Sequence, residues 1–301
     1  MRSHLAIPLI LLFLAGSAFA VDGVLEINQT CALTSGCFPG DSAGFPVTIT
    51  TRGSYQLTSN LSISDVTTDG VVVSTSDVGI DLNNFTILGP VTCSGSPLTC
   101  TLAPGTGRGV AQTSMSNRGI SVKNGSVTGM GSHGVILGDQ AEVTNVRVRW
   151  CQFVGINTGS GSTVSGNTVY QNGSGGIFAS SGSTVSGNTA YQNGLGGILS
   201  NAGSTVSGNT VYQNETTGIF TGAGSTVADN TAYNNLGDGI AVGNGSNVQR
   251  NAARLNAGFG LNLGSQATYR ENTITSNTAG TVTGSGVDMG DNSCNGLASC
   301  P

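Results

Sequence analysis

From Gly134 onward the apolar residues return with a period of 21. Gly-Ile or a close equivalent opens each frame at Gly134, Gly155, Gly176, Gly197, Gly218, Gly239 and Gly260, and the last frame opens at Thr281. The next position is Val135, Ile156, Ile177, Ile198, Ile219, Ile240, Leu261 and Val282. A second apolar column runs Val143, Val164, Val185, Val206, Val227, Val248 and Tyr269, and a third runs Val148, Val169, Ala190, Val211, Ala232, Ala253 and Ile274. Three apolar points per repeat, each on a short β-prone segment, predict a coil of three strands separated by turns. Coils of this kind stack with equivalent strands parallel and in register at about 4.8 Å. One coil cannot bury its own apolar face, so neighbours supply the stability. No segment shows a 3.6-residue period and glycine is too frequent for helix.

Polar positions obey the same period. Asn167, Asn188, Asn209, Asn230, Asn251 and Asn272 form one column, and Asn172, Asn193, Asn214, Asn235, Asn256 and Asn277 form another. Asparagine suits left-handed corners, and stacked amides can bond from coil to coil, so both columns are expected to be turn ladders. Cys151 falls in the second column and is expected to be a buried thiol at the bottom of that stack. Before Gly134 the pattern loosens, although Gly79 to Ile87 and Gly119 to Val122 keep the form of irregular coils.

The resulting organisation is a leader over residues 1–20, an N-terminal cap and first strand over 21–59, and irregular coils over 60–133 with an excursion at about 90–117. Regular coils follow over 134–280, and a last coil and cap over 281–301. The leader rests on Arg2, the apolar run Leu5 to Leu14, and the small-residue site Ala18-Phe19-Ala20, which together have the form of a secretory signal. No later segment is apolar enough to insert in a membrane. Export places the seven cysteines in an oxidising compartment, where three close pairs read as local disulfides: Cys31–Cys37, Cys93–Cys100 and Cys294–Cys300.

Forty-eight glycines would suggest low complexity, but the regular apolar columns argue against disorder. With Arg2 removed the charge moves from −5 to −6, and Lys123 is the single lysine. Nucleic acid is excluded as a partner on that balance.

Units such as Gly161-Ser162-Thr163-Val164-Ser165-Gly166-Asn167-Thr168-Val169-Tyr170-Gln171-Asn172, together with the Gly-Ile starts and the leader coil Gly53 to Leu61, resemble the pectin-lyase-like superfamily of right-handed parallel β-helix proteins. The resemblance covers most of the mature chain. It implies an all-β solenoid and a function drawn from polysaccharide lyases, hydrolases, epimerases or adhesins, which fold alone does not separate. Lyases of this kind use carboxylate-bound Ca²⁺ with an Arg or Lys base, and hydrolases use paired carboxylates. Ser132-His133-Gly134 is similar to part of a polygalacturonase histidine motif but lacks its adjacent aspartates.

Two groups of residues remain as candidate chemistry. The first coils carry Lys123, Arg147 and Arg149 as candidate bases, with Asp139 and Glu142 as candidate Ca²⁺ ligands for the lyase or epimerase alternative. The other group is outward-facing. If Val169 and its equivalents point in, alternation sends Tyr170, Tyr191, Tyr212 and Tyr233 out, with Arg149 below and Arg254 above. The expectation is an exported solenoid that needs no cofactor and binds an extended cell-wall or matrix polysaccharide, its sugar rings stacking on the tyrosines. A purely structural or adhesive solenoid is the remaining alternative. Phe178, Leu199 and Phe220 form a second outward stripe, and the sequence leaves the oligomeric state open.

Overall fold

A computed structural model describes residues 23–114, 116–297 and 300; the leader expected over residues 1–20 lies outside them. The chain winds as a parallel β-solenoid. One face is an eleven-stranded sheet that runs from Val47–Ile49 through Val135–Leu137, Ile156–Thr158 and Ile177–Ala179 to Gly280–Gly284. The other two faces are stacks of short strands, such as Thr163–Ser165 on the second and Thr168–Tyr170 on the third. In Glu142–Arg149 these two strands are one, bent at Asn145, so each coil has three strand segments and one short corner. Equivalent strands pair in parallel at the 21-residue register, as in Val164 with Val185 and Tyr170 with Tyr191.

All three apolar columns face the shared interior. Ile156, Ile177, Val164, Val185, Val169 and Ala190 are completely buried and belong to one continuous core. Burying a Val or Ile side chain is worth roughly 1.5–3 kcal/mol. Three such residues per coil therefore supply the main cohesion between neighbours.

The asparagine columns are ladders with every amide group used. Asn167 donates from its backbone N–H and its Nδ2 to Oδ1 of Asn188, at 2.9 and 3.0 Å, and its Nδ2 also donates to the Val143 carbonyl. Asn188 repeats this on Asn209. The second ladder does the same from Asn172 to Asn277. At its bottom the Cys151 N–H donates to Asn172 Oδ1, which places Cys151 where its column predicts, fully buried.

One expectation is corrected here. The ladder asparagines do not take the left-handed backbone; the residue before each of them does, as at Gly166, Gly187 and Asp229, and at Gln171, Gln192 and Gln213. The left-handed residue turns the corner, and the turn points the following asparagine inward, where it satisfies the backbone of the coil before it. A third ladder, of serines, was not singled out by sequence reading: Ser162, Ser183, Ser204, Ser225 and Ser246 are buried and accept from the backbone one coil back. The Gly-Ile frame also has its cause. A Cβ on Gly176 would stand 2.8 Å from Asn193 Nδ2, and one on Gly197 would stand 2.7 Å from Asn214 Nδ2.

Stacking begins inside the segment expected to be a cap, because Val24–Ile27 pairs with Gly53–Leu57. The short helix Gln29–Thr34, stapled by Cys31–Cys37, lies beside this strand, and Cys294–Cys300 staples the other end. The excursion is narrower than 90–117, since Val110–Gln112 already pairs with both Val71–Val73 and Val135–Leu137. Its visible part is a two-stranded hairpin with Cys93 opposite Cys100, joined by the third disulfide.

Candidate functional site

The tyrosine column stands on the third face. Each Val or Ala of the strand is buried while Tyr170, Tyr191, Tyr212 and Tyr233 project outward, half-buried. Their rings form a stack with centroids 4.7, 4.8 and 4.9 Å apart and planes within 9° of parallel. Arg149 pairs with Tyr170 at the bottom and Arg254 with Tyr233 at the top. The Arg254 guanidinium covers the outer face of Tyr233 at 5.2 Å, whereas that of Arg149 lies over Trp150 at 3.9 Å.

This geometry corrects the expected mode of sugar stacking. Rings at van der Waals separation occupy one another's faces, so no sugar can lie flat on an inner tyrosine. What the column offers outward is a row of ring edges and phenol hydroxyls, one per coil. Burial holds the Tyr191 and Tyr212 phenols above their ordinary pKa, with neighbouring tyrosines adding to the shift. At neutral pH these two phenols are therefore uncharged and able both to donate and to accept hydrogen bonds.

The charged residues of the first coils divide between faces. Lys123 lies on the second face, paired with Asp81 at 3.7 Å. Arg147 and Arg149 lie on the third face, beyond the corner at Asn145. Arg147 lines a shallow polar cleft of about 380 Å³ with Asn84, Asn145 and Thr168. Asp139 is a turn residue whose Oδ1 accepts the Ser160 N–H at 2.9 Å, and Glu142 projects outward between Ser121 and Thr163. Among the described residues no three His, Cys, Asp or Glu side chains gather as metal ligands. Asp139 and Glu142 belong to no such cluster.

Sequence reading missed a cleft of about 510 Å³ lined by Asp69, Arg108, Ser132, His133, Ile136 and Phe153. Arg108 grips Asp69 with Nε at 3.0 Å and a terminal nitrogen at 2.6 Å. Ser132 Oγ and His133 Nδ1 share a 2.9 Å hydrogen bond, and the His133 ring lies over Phe153 at 5.8 Å. Burial, helped by Arg108, lowers the His133 pKa, so the imidazole is neutral at pH 7. Asp69 and Arg108 belong to irregular coils where no column marks a partner, which is why only the fold brings them together. The apolar stripe is real, with Phe220 its most exposed member.

The hairpin was also not placed by sequence. It folds along the stack beside the tyrosine face. The Leu98 N–H donates to Glu215 Oε1, and Gln152 Nε2 donates to the Leu102 carbonyl.

This architecture is that of a right-handed parallel β-helix. A family described as "right handed beta helix region" matches residues 108–253. No curated protein matches the chain by sequence. Among solved structures, a double mutant of the periplasmic alginate epimerase AlgG is 17% identical, covering 87% of this chain and 82% of its own, with a TM-score of 0.61. The Dettilon tailspike protein gp208 is 14% identical over 89% of this chain and 57% of its own, with a TM-score of 0.63. The A-module of the Azotobacter vinelandii mannuronan C-5 epimerase AlgE4 is 15% identical over 88% and 84%, with a TM-score of 0.51. At these identities the likeness is one of fold. Among the described residues no helix is long and apolar enough to cross a membrane.

Proposed function

We propose that this is an exported solenoid that binds an extended carbohydrate along the tyrosine row, edge-on, through the phenol hydroxyls and ring edges. The observation that carries the proposal is the unbroken stack Tyr170–Tyr191–Tyr212–Tyr233, four identical donor–acceptor groups repeating at 4.7–4.9 Å on one outward line. A periodic line of this kind matches a periodic ligand. The two flanking arginines, Arg149 and Arg254, suit acidic groups at the ends of the bound stretch. Structural likeness to an alginate epimerase and to a mannuronan epimerase supports a carbohydrate ligand. Three disulfides suit an oxidising, extracytoplasmic compartment. Binding of this kind needs no cofactor.

Affinity electrophoresis through gels containing a panel of cell-wall and matrix polysaccharides tests the proposal. Wild-type protein is expected to be retarded by at least one polymer. Tyr191→Phe with Tyr212→Phe keeps the ring stack and removes two hydroxyls, so it should lose most of that retardation at an unchanged melting temperature. Retardation unaffected by the double change would refute the tyrosine row as the binding line.

A second reading, polysaccharide lyase or epimerase, has one observation in its favour: the neutral His133 beside Arg108 in an open cleft. Lys123, Arg147 and Arg149 are its other candidate bases, although they stand on two faces. Incubation with uronic-acid polymers, with and without Ca²⁺, decides it. Unsaturated or epimerised product lost in His133→Ala would support it, and no product on any polymer would remove it.

A further inference from the structure

The hairpin Cys93–Ser94/Thr99–Cys100 is an enlarged turn. In later coils the chain passes from the third face to the first directly, as from Tyr170 to Ile177; the earlier coil passes from Leu88 to Val110 through this insertion. Its tip, Ser94 to Pro97, is exposed, but hydrogen bonds tie it back to the stack. Its Leu98 N–H docks on Glu215, which is 117 residues away in sequence and belongs to the coil that follows Tyr212. The tip, Gly95 and Ser96, thereby stands over the corner occupied by Gln192, Gln213 and Asn234, with Glu215 and Leu236 closing a cavity of about 190 Å³. Those corner residues directly follow Tyr191, Tyr212 and Tyr233 in the chain, so the cavity opens beside the upper half of the tyrosine row.

We propose that the hairpin tip and this amide corner form a sugar subsite that clamps the bound glycan and selects a neutral pyranose at that point. The proposal rests on the tyrosine-row reading and adds where the chain is gripped and by what chemistry. The lining consists of amides, one hydroxyl, backbone and one leucine, a set that pairs with vicinal hydroxyls and packs a C–H face. Its only charge is the Glu215 carboxylate. A uronate placed there would meet like charge in a partly desolvated space, which is repulsive, whereas a sugar hydroxyl finds an acceptor. The flanking arginines lie outside the cavity. Acidic groups are thus accommodated at the ends of the row and rejected beside the hairpin.

Isothermal titration with neutral β-linked hexasaccharides (cello- and manno-) and with the corresponding glucuronate and mannuronate oligomers tests the clamp. The neutral series is expected to bind more tightly than its uronate counterparts. Ser96→Trp and Leu236→Trp each fill the cavity from opposite sides without touching the stack, and each should raise Kd by about tenfold or more at an unchanged melting temperature. Glu215→Gln keeps an oxygen to accept the Leu98 N–H and removes the charge, so it should narrow the preference for neutral sugars. Tyr191→Phe with Tyr212→Phe serves as the reference for the row itself. Weakening by the tyrosine changes but not by either tryptophan overturns the clamp and leaves the row. Binding of no hexasaccharide by the wild type overturns both, and a preference for uronates overturns the selection.

Discussion

Oδ1 of Asn209 accepts two hydrogen bonds from Asn188, one from the backbone N–H at 2.9 Å and one from Nδ2 at 3.0 Å. Asn209 itself donates to the Val185 carbonyl at 3.0 Å and to Asn230 Oδ1 at 2.9 Å. Both residues are almost fully buried. Replacing Asn209 with Ala therefore leaves the buried Asn188 N–H without a partner and takes one of two bonds from Asn188 Nδ2, which keeps only the Val164 carbonyl, at roughly 1–3 kcal/mol for each such loss. Asn209→Ala should destabilise the protein severely, by about 3 kcal/mol or more. Asn277→Ala takes the same two bonds from Asn256, but at a more exposed position and with no further ladder asparagine beyond it, so it should cost less. Denaturant unfolding of the two variants side by side checks the order.

Tyr191 stacks on Tyr170 and Tyr212 at once. Tyr191→Ala removes two ring contacts, each worth about 0.5–1.5 kcal/mol beyond area burial. It should lower the melting temperature, whereas Tyr191→Phe should not. This contrast separates the structural contribution of the ring from the proposed recognition by the hydroxyl.

Burial raises the Tyr191 and Tyr212 phenols above the ordinary 10.0. For a group whose folded pKa is raised, the stability it contributes is complete below the unfolded pKa and is lost as pH rises through the folded one. Stability should thus be flat with respect to these groups below about pH 10 and fall above it. The Phe double variant should show a smaller alkaline loss, measured as melting temperature against pH from 8 to 12.

The Cys151 thiol is completely buried, and burial pushes its pKa up to about 12. It should resist alkylation by iodoacetamide in the native protein and react only on unfolding, as mass spectrometry of the labelled peptide would show. Rapid native labelling would contradict its place beneath Asn172.

The hydroxyls of Thr158, Ser200 and Thr221 face the interior without a hydrogen-bond partner. An unpaired buried polar group costs about 1–3 kcal/mol. Thr221→Val is close to isosteric and should be neutral to stabilising, raising the melting temperature.

Features that repeat were legible from sequence. The Ile, Val and Asn columns reveal themselves because each coil solves the same packing problem with the same residue, and Tyr170 to Tyr233 follow by alternation along their strands. Cys31–Cys37, Cys93–Cys100 and Cys294–Cys300 were legible because each loop is short. What escaped was single-copy or rotameric. Asp69 meets Arg108 across irregular coils, and Leu98 meets Glu215 through an inserted turn; neither contact has a period to betray it. That the tyrosine faces cover one another depends on side-chain rotamers, which alternation alone does not specify. The left-handed corner sits one residue before each ladder asparagine because the inward amide needs the turn ahead of it.

Where the proposed glycan meets the solenoid is the central question, and oxidative footprinting with hydroxyl radicals addresses it directly. The protein would be oxidised with and without the polysaccharide that retards it, and each aromatic peptide quantified. Protection of Tyr170, Tyr191, Tyr212 and Tyr233 by the glycan is expected, with Phe153 unchanged. Protection of Phe153 in the His133 cleft, with the four tyrosines oxidised as before, would contradict it.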